Sequence, residues 1–168
     1  MRSTKERRLK QVENINPDVK KHYTPLEIVK YCLSFLDLRE MRVLDVGSGE
    51  NMVWYNNLIC REKDWVEIDK GKDFFDYNDK VDWCIGNPPF RVLWDIIKKS
   101  TELSDKGFAY LVAIDGINRL TPKRLQFLKD KGFYLNKIVV MNISLWWGRY
   151  FFIIFKKEKN DFVGWRNK

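Results

Sequence analysis

The 168-residue sequence predicts an α/β domain whose sheet is mainly parallel and ends in an antiparallel hairpin. Three observations carry this. Short apolar runs alternate with segments of helical length, the pattern of parallel strands joined by helices. One such run, Arg42 to Val46, passes through Gly47-Ser48-Gly49 directly into helix-like sequence. The last two runs, Lys137 to Met141 and Tyr150 to Phe155, are joined by a loop too short for a parallel crossover, so they pair antiparallel.

Residues 1–20 are polar and basic, with Arg2, Lys5, Arg7, Arg8 and Lys10 at their start, and read as an N-terminal arm. Residues 21–168 read as a single domain. Pro25 suits the first turn of a helix, and Ile28, Val29, Tyr31, Cys32, Phe35 and Leu36 recur at three- and four-residue intervals, predicting a helix to about Leu38. Strands are then expected at Arg42 to Val46, Trp65 to Ile68, Val81 to Ile85 and Phe108 to Ile114, before the two of the hairpin. Asp73 to Asp76 is a candidate for one more short strand. Helices are expected at Met52 to Cys60, Arg91 to Leu103 and Pro122 to Asp130.

A composition of 45% hydrophobic and 32% charged residues is that of an ordinary globular protein, and no apolar run is long enough to span a bilayer. The N-terminus lacks the apolar stretch of a secretion signal, so the expectation is a cytoplasmic protein with no membrane partner. Cys32, Cys60 and Cys84 are widely spaced and odd in number, which indicates neither a disulfide framework nor a metal site. His22 is the single histidine, leaving little for a triad or a histidine-rich metal centre. The formal charge of +8 favours a polyanionic partner such as nucleic acid, or else a well-solvated basic surface.

In a sheet of this kind, ligands bind beyond the carboxyl ends of the strands, where the strand order reverses. With the common order 3-2-1-4-5, that point lies between the Arg42 to Val46 strand and the Val81 to Ile85 strand. The turn after the first, Asp45-Val46-Gly47-Ser48-Gly49, lets a ligand approach the backbone and the following helix amides. Glu67 follows Gly47 by about twenty residues, the distance at which an acidic side chain reaches ribose hydroxyls. There is no G-x-G-x-x-G and no P-loop lysine, so the expected cofactor is a nucleoside without a phosphate chain.

The second of these strands leads into Gly86-Asn87-Pro88-Pro89-Phe90. Two prolines fix the backbone and donate no hydrogen, so the loop's carbonyls are held where a substrate amine can donate to them. Asn87 adds a side-chain acceptor, and Phe90 a flat face for stacking a planar base, or a core contact before a helix.

This segment resembles the N-P-P-F/Y motif of S-adenosylmethionine-dependent amino-group methyltransferases, including DNA adenine-N6 enzymes. The likeness runs from about residue 22 to 156. Asp45-Val46-Gly47-Ser48-Gly49 resembles their cofactor turn, Tyr23-Thr24-Pro25 the upstream motif near the methionine end, and Val66-Glu67-Ile68-Asp69 their acidic second strand. The resemblance implies the Rossmann-like fold of class I methyltransferases, with S-adenosylmethionine as cofactor. It implies that Asp73 accepts from the cofactor's adenine amino group, that Phe74 packs on its ring and that Glu67 holds the ribose. Asn87 is expected at both cofactor and substrate, and Asn87, Pro88, Pro89 and Phe90 form the catalytic segment. The motif order resembles the gamma arrangement. Two features depart from the pattern: few residues separate Glu67 from Asp73, so the helix usual there is reduced or missing, and no separate target-recognition domain fits after Phe90.

The function so implied is direct methyl transfer to the N6 amino group of adenine in DNA, with base flipping to bring the base into the site. Alternatives are an RNA adenine, cytosine N4 or a protein glutamine as acceptor, or a catalytically silent nucleic-acid-binding adaptor. Arg119, Lys123 and Arg124 are candidate phosphate contacts, or a solvated helix start. Trp146, Trp147 and Tyr150, in or beside the hairpin loop, are candidate stacking residues, or core packing. Small size suggests recognition shared with a second copy or a separate specificity partner.

Overall fold

The computed structural model describes residues 23–144, 146, 148–159 and 164; the basic arm at 1–20 and Trp147 lie outside the described residues. Six strands form one sheet in the order β2-β1-β3-β4-β6-β5. They are β1 (Arg42–Val46), β2 (Glu62–Val66), β3 (Val81–Gly86), β4 (Ser104–Ala113), β5 (Tyr134–Asn142) and β6 (Arg149–Lys156). β1 pairs in parallel with β2 and β3, and β3 with β4, while β6 runs antiparallel between β4 and β5. The order reverses between β1 and β3, as the predicted topology requires.

The strands alternate their side chains between two apolar layers. Leu44, Val46, Cys84, Phe108, Tyr110 and Phe155 face one side, where α3 (Leu93–Leu103) supplies Leu93, Ile96 and Ile97, and α5 (Pro122–Asp130) supplies Leu128. Val43, Trp83, Ile85, Leu111 and Phe152 face the other, covered by Val29 and Cys32 of α1 (Leu26–Leu33) and Trp54 of α2 (Val53–Asn57). Each wholly buried side chain of this size contributes about 1.5–3 kcal/mol of apolar transfer energy. Burial pushes the thiols of Cys32 and Cys84 up to about 12, so both are small apolar core groups, while Cys60 is half-buried.

Several boundaries differ from those expected. α1 stops at Leu33 rather than about Leu38, because the Ser34 hydroxyl donates to the Tyr31 carbonyl at 2.6 Å and competes with the helical backbone. α2 is also shorter than Met52 to Cys60, Leu58 being already extended. β2 lies at Glu62–Val66 instead of Trp65 to Ile68. It is an edge strand, so charged residues suit it, and Glu67 ends it by accepting the Asp69 amide at the head of a 3-10 turn. Asp73 to Asp76 is not a strand: the Asp73 carboxylate caps a 3-10 turn, Phe74–Asp76, by accepting from Phe75 N at 3.0 Å. β4 begins at Ser104, directly after α3, rather than at Phe108. A short helix, α4 (Ile114–Asn118), follows it where no helix was expected. No helix of the described residues is long and apolar enough to cross a membrane, and none of their acidic, cysteine or histidine side chains cluster as metal ligands.

Candidate active site

The carboxyl ends of β1 and β3 meet the N-terminal segment at residues 23–25. Gly47 and Gly49 adopt φ of 76° and 65°, so the turn after β1 needs residues without a side-chain penalty. The Gly47 and Ser48 amides donate to the Val66 carbonyl at 3.0 and 3.1 Å, tying this turn to the end of β2. The Gly49 amide donates to Glu67 Oε2 at 2.7 Å, which sets the Glu67 carboxylate against the glycine turn. The Tyr23 ring lies over Gly49, 3.4 Å from where a Cβ would stand, and its hydroxyl donates to Glu50 Oε2 at 2.9 Å. Pro25 opens α1, its carbonyl accepting the Ile28 and Val29 amides.

Opposite this turn lies the Asn-Pro-Pro loop. A Cβ on Gly47 would stand 3.6 Å from the Asn87 carbonyl oxygen and the Pro88 Cα, an ordinary contact distance, so the loop packs directly on the turn. Gly86 allows that approach. Its φ is 142°, and a Cβ there would lie 2.6 Å from the Val46 carbonyl oxygen and 2.9 Å from Asp45 Oδ1. Sequence reasoning did not single out Gly86, although a glycine at the end of a buried strand is itself a mark of close backbone approach.

Asn87 Nδ2 donates to Thr24 Oγ1 at 3.2 Å, and the same oxygen accepts from Trp54 Nε1 at 3.2 Å. Asn87 Oδ1 takes no hydrogen bond from the described residues. Pro88 is buried, Pro89 is exposed, and Phe90 is half-buried at the head of a 3-10 turn, Phe90–Val92, packed partly against the core.

Three polar atoms at this end of the sheet are buried without a partner among the described residues: Asp45 Oδ1, Ser48 Oγ and Asp73 Oδ2. Asp45 is fully buried and accepts the Tyr55 amide at 3.0 Å through Oδ2. Burial pushes its carboxyl up to about 8, against the Tyr55 hydrogen bond and with a smaller push from the Glu67 charge. Asp73 uses Oδ1 for its cap and leaves Oδ2 free as an acceptor. Phe74 is buried, edge-on to Phe75 with ring centroids 5.7 Å apart. Asp45 Oδ1, Ser48 Oγ and Asp73 Oδ2 are acceptors that a ligand carrying donor groups could satisfy.

The remaining candidates take other positions. Arg119 Nη1 donates to the carbonyls of Phe90 and Arg91 at 3.2 and 3.3 Å. Arg124 donates to the Arg119 carbonyl at 2.9 Å, and its guanidinium lies 4.6 Å from the centre of the Trp94 ring. Lys123 is exposed. Trp146 is 9% exposed and packs in the second apolar layer, its ring 4.8 Å from that of Tyr150. Tyr150 is half-buried, and desolvation raises its phenol above the usual range. The structure thus gathers residues 23–25, 45–49, 67 and 86–90 at one end of the sheet, and sets Trp146 into the layer beneath.

No family model matches the chain, and no curated protein matches it by sequence. Solved structures do match it by shape. A candidate RNA methyltransferase from Pyrococcus horikoshii superposes with a TM-score of 0.64 at 22% identity, covering 96% of this chain and 100% of its own. The 23S rRNA methyltransferase ErmE gives a TM-score of 0.63 at 13% identity, covering 84% of this chain and 71% of its own. Magnesium protoporphyrin IX methyltransferase from Synechocystis, solved with bound SAH, gives 0.53 at 12% identity, over 92% of this chain and 94% of its own. The strand order, the reversal between β1 and β3 and these superpositions lead to one conclusion: the chain has the Rossmann-like α/β fold of class I methyltransferases.

Proposed function

We propose that this chain transfers a methyl group from S-adenosylmethionine to the N6 amino group of adenine in nucleic acid, with DNA as the first substrate to test. The observation that carries the reading is Asn87: its amide nitrogen is tied to Thr24, its Oδ1 takes no hydrogen bond from the described residues, and its loop rests on the glycine turn. The chemistry of the acceptors at this site suits the cofactor. Asp73 Oδ2 is a buried acceptor for an adenine amino group, Glu67 stands at the turn for ribose hydroxyls, and Asp45 Oδ1 and Ser48 Oγ offer further polar contacts. When bound, the sulfonium supplies an electrophilic methyl group.

The chain's own residues prepare the amine. An adenine amino nitrogen is a poor nucleophile because its lone pair is delocalised into the ring. If Asn87 Oδ1 and the Pro88 carbonyl accept its two protons, the nitrogen becomes more tetrahedral and its lone pair turns toward the methyl group. Positioning and electrostatics would then assist an in-line transfer with no covalent bond to the enzyme: the nitrogen–methyl bond would form as the methyl–sulfur bond breaks, S-adenosylhomocysteine would leave with that electron pair, and the methylated amine would give up one proton to solvent. Phe90 offers its ring face to the base.

RNA adenine is the second reading, supported by two of the superposed structures, an RNA methyltransferase candidate and a 23S rRNA methyltransferase. The test follows labelled methyl from S-adenosylmethionine into unmethylated duplex DNA and into RNA, comparing the intact protein with Asn87→Ala. N6-methyladenine made in DNA by the intact protein alone is the expected result. Label in RNA alone moves the substrate to the second reading, and label in neither, with no cofactor binding, ends the enzymatic reading.

A further inference from the structure

We infer that Thr24 is a positioning residue for the reacting amine, its hydroxyl holding the Asn87 amide so that Oδ1 points outward as the acceptor. The inference rests on the amino-group methyltransferase reading and assigns Thr24 a task distinct from contact with the cofactor.

Thr24 lies in the segment before α1, far in sequence from Asn87, and is 6% exposed. A hydroxyl oxygen has two acceptor sites. Here one takes Trp54 Nε1–H and the other takes Asn87 Nδ2–H, each at 3.2 Å. Trp54 is itself 2% exposed and packs on Phe152, with centroids 5.9 Å apart, so its indole is a fixed donor. The indole fills one acceptor site of Thr24 Oγ1, and the Asn87 amide N–H fills the other.

The two ends of a carboxamide have opposite hydrogen-bonding sense. With Nδ2 held by Thr24, Oδ1 faces the open side and can accept from an amine. With the amide reversed, two N–H groups would face the amine's own N–H groups, and the site would repel the nucleophile it has to prepare. Thr24 therefore separates a competent loop from an incompetent one without touching the reacting atoms. Serine can replace it in this task; valine, of the same shape without the hydroxyl, cannot.

The test compares Thr24→Val and Thr24→Ser with the intact protein, measuring kcat and KM on nucleic acid and, separately, the dissociation constant for S-adenosylhomocysteine. Thr24→Val is expected to lower kcat about 10- to 100-fold while moving the dissociation constant and KM less than about threefold. Thr24→Ser is expected to restore most of kcat. Valine also leaves the Trp54 indole without its acceptor, so the double variant Thr24→Val, Trp54→Phe removes that orphaned donor and repeats the test on a relaxed core. Unchanged kcat overturns the inference, as does loss of S-adenosylhomocysteine affinity in step with kcat, which would make Thr24 a cofactor ligand. A second readout needs no turnover: nuclear magnetic resonance of the Asn87 side-chain amide. Its protons are expected to exchange about tenfold faster with water in Thr24→Val than in the intact protein. Equal exchange rates overturn the inference even if the chain methylates no nucleic acid, a result that would instead sink the proposed function.

Discussion

Asp45 is a carboxyl with no exposure, one oxygen bonded to the Tyr55 amide and the other without a partner among the described residues. Its ordinary value of 3.8 is raised to about 8 in the fold, first by desolvation. Between these values the folded protein keeps a proton that the unfolded chain has released. The stability tied to this group is therefore fully present below about pH 4 and is lost as the pH rises through about 8. Asp45→Asn keeps an acceptor for Tyr55 and cannot ionise, so its melting temperature should fall less than that of the intact protein between pH 5 and 9. Parallel declines in thermal melts across that range would assign the loss to other groups. Gly86 gives a second prediction at this scale. With φ of 142° and a carbonyl oxygen 2.6 Å from any Cβ, Gly86→Ala forces the ends of β1 and β3 apart. Urea unfolding should show a loss of about 2–4 kcal/mol, and a loss under about 0.5 kcal/mol would mean that the loop relaxes freely.

Among the elements, α4 and α5 brace the turn that follows the Asn-Pro-Pro loop. Arg119, just beyond α4, bonds two carbonyls of the turn that opens with Phe90, and Arg124 in turn bonds the Arg119 carbonyl while lying over Trp94. A guanidinium spent in this way orders the loop. Arg119→Ala should then lower kcat about tenfold while leaving the salt dependence of nucleic-acid binding unchanged; a shallower salt slope at constant kcat would instead make it a phosphate contact. The sequence carried α5 to the residue, because Thr121 and Pro122 mark its start. β3 and its Asn-Pro-Pro loop were also legible, since an apolar run, a glycine and two prolines leave few conformations open. β2 and the start of β4 were not. Their pairing depends on tertiary neighbours, and Glu62 to Asp64 and Ser104 to Gly107 are polar enough to read as loop. The Arg119 and Thr24 bonds span distant parts of the chain, and nothing in local pattern announces them.

Across the whole molecule, residues 23–25, 45–49, 67 and 86–90 lie at the carboxyl end of one sheet, and the formal charge of +8 belongs to the chain as a whole. If nucleic acid is the substrate, such a chain holds it largely through phosphates, and each neutralised phosphate releases counterions. With about four to six phosphates in contact, the logarithm of duplex affinity should fall with the logarithm of salt with a slope of about −4 to −5. That amounts to a loss of several hundred-fold between about 50 and 200 mM salt. If the loops at the end of the sheet alone do the recognising, duplexes differing only around the adenine should bind within about threefold of one another. Fluorescence anisotropy on labelled duplexes at several salt concentrations measures both. A steep slope with weak sequence preference fits an enzyme that binds any backbone and selects only the adenine that enters its pocket. A steep slope with strong preference would require base contacts from other parts of the chain. A slope near zero would exclude a polyanion as the partner and favour a protein amide as the acceptor.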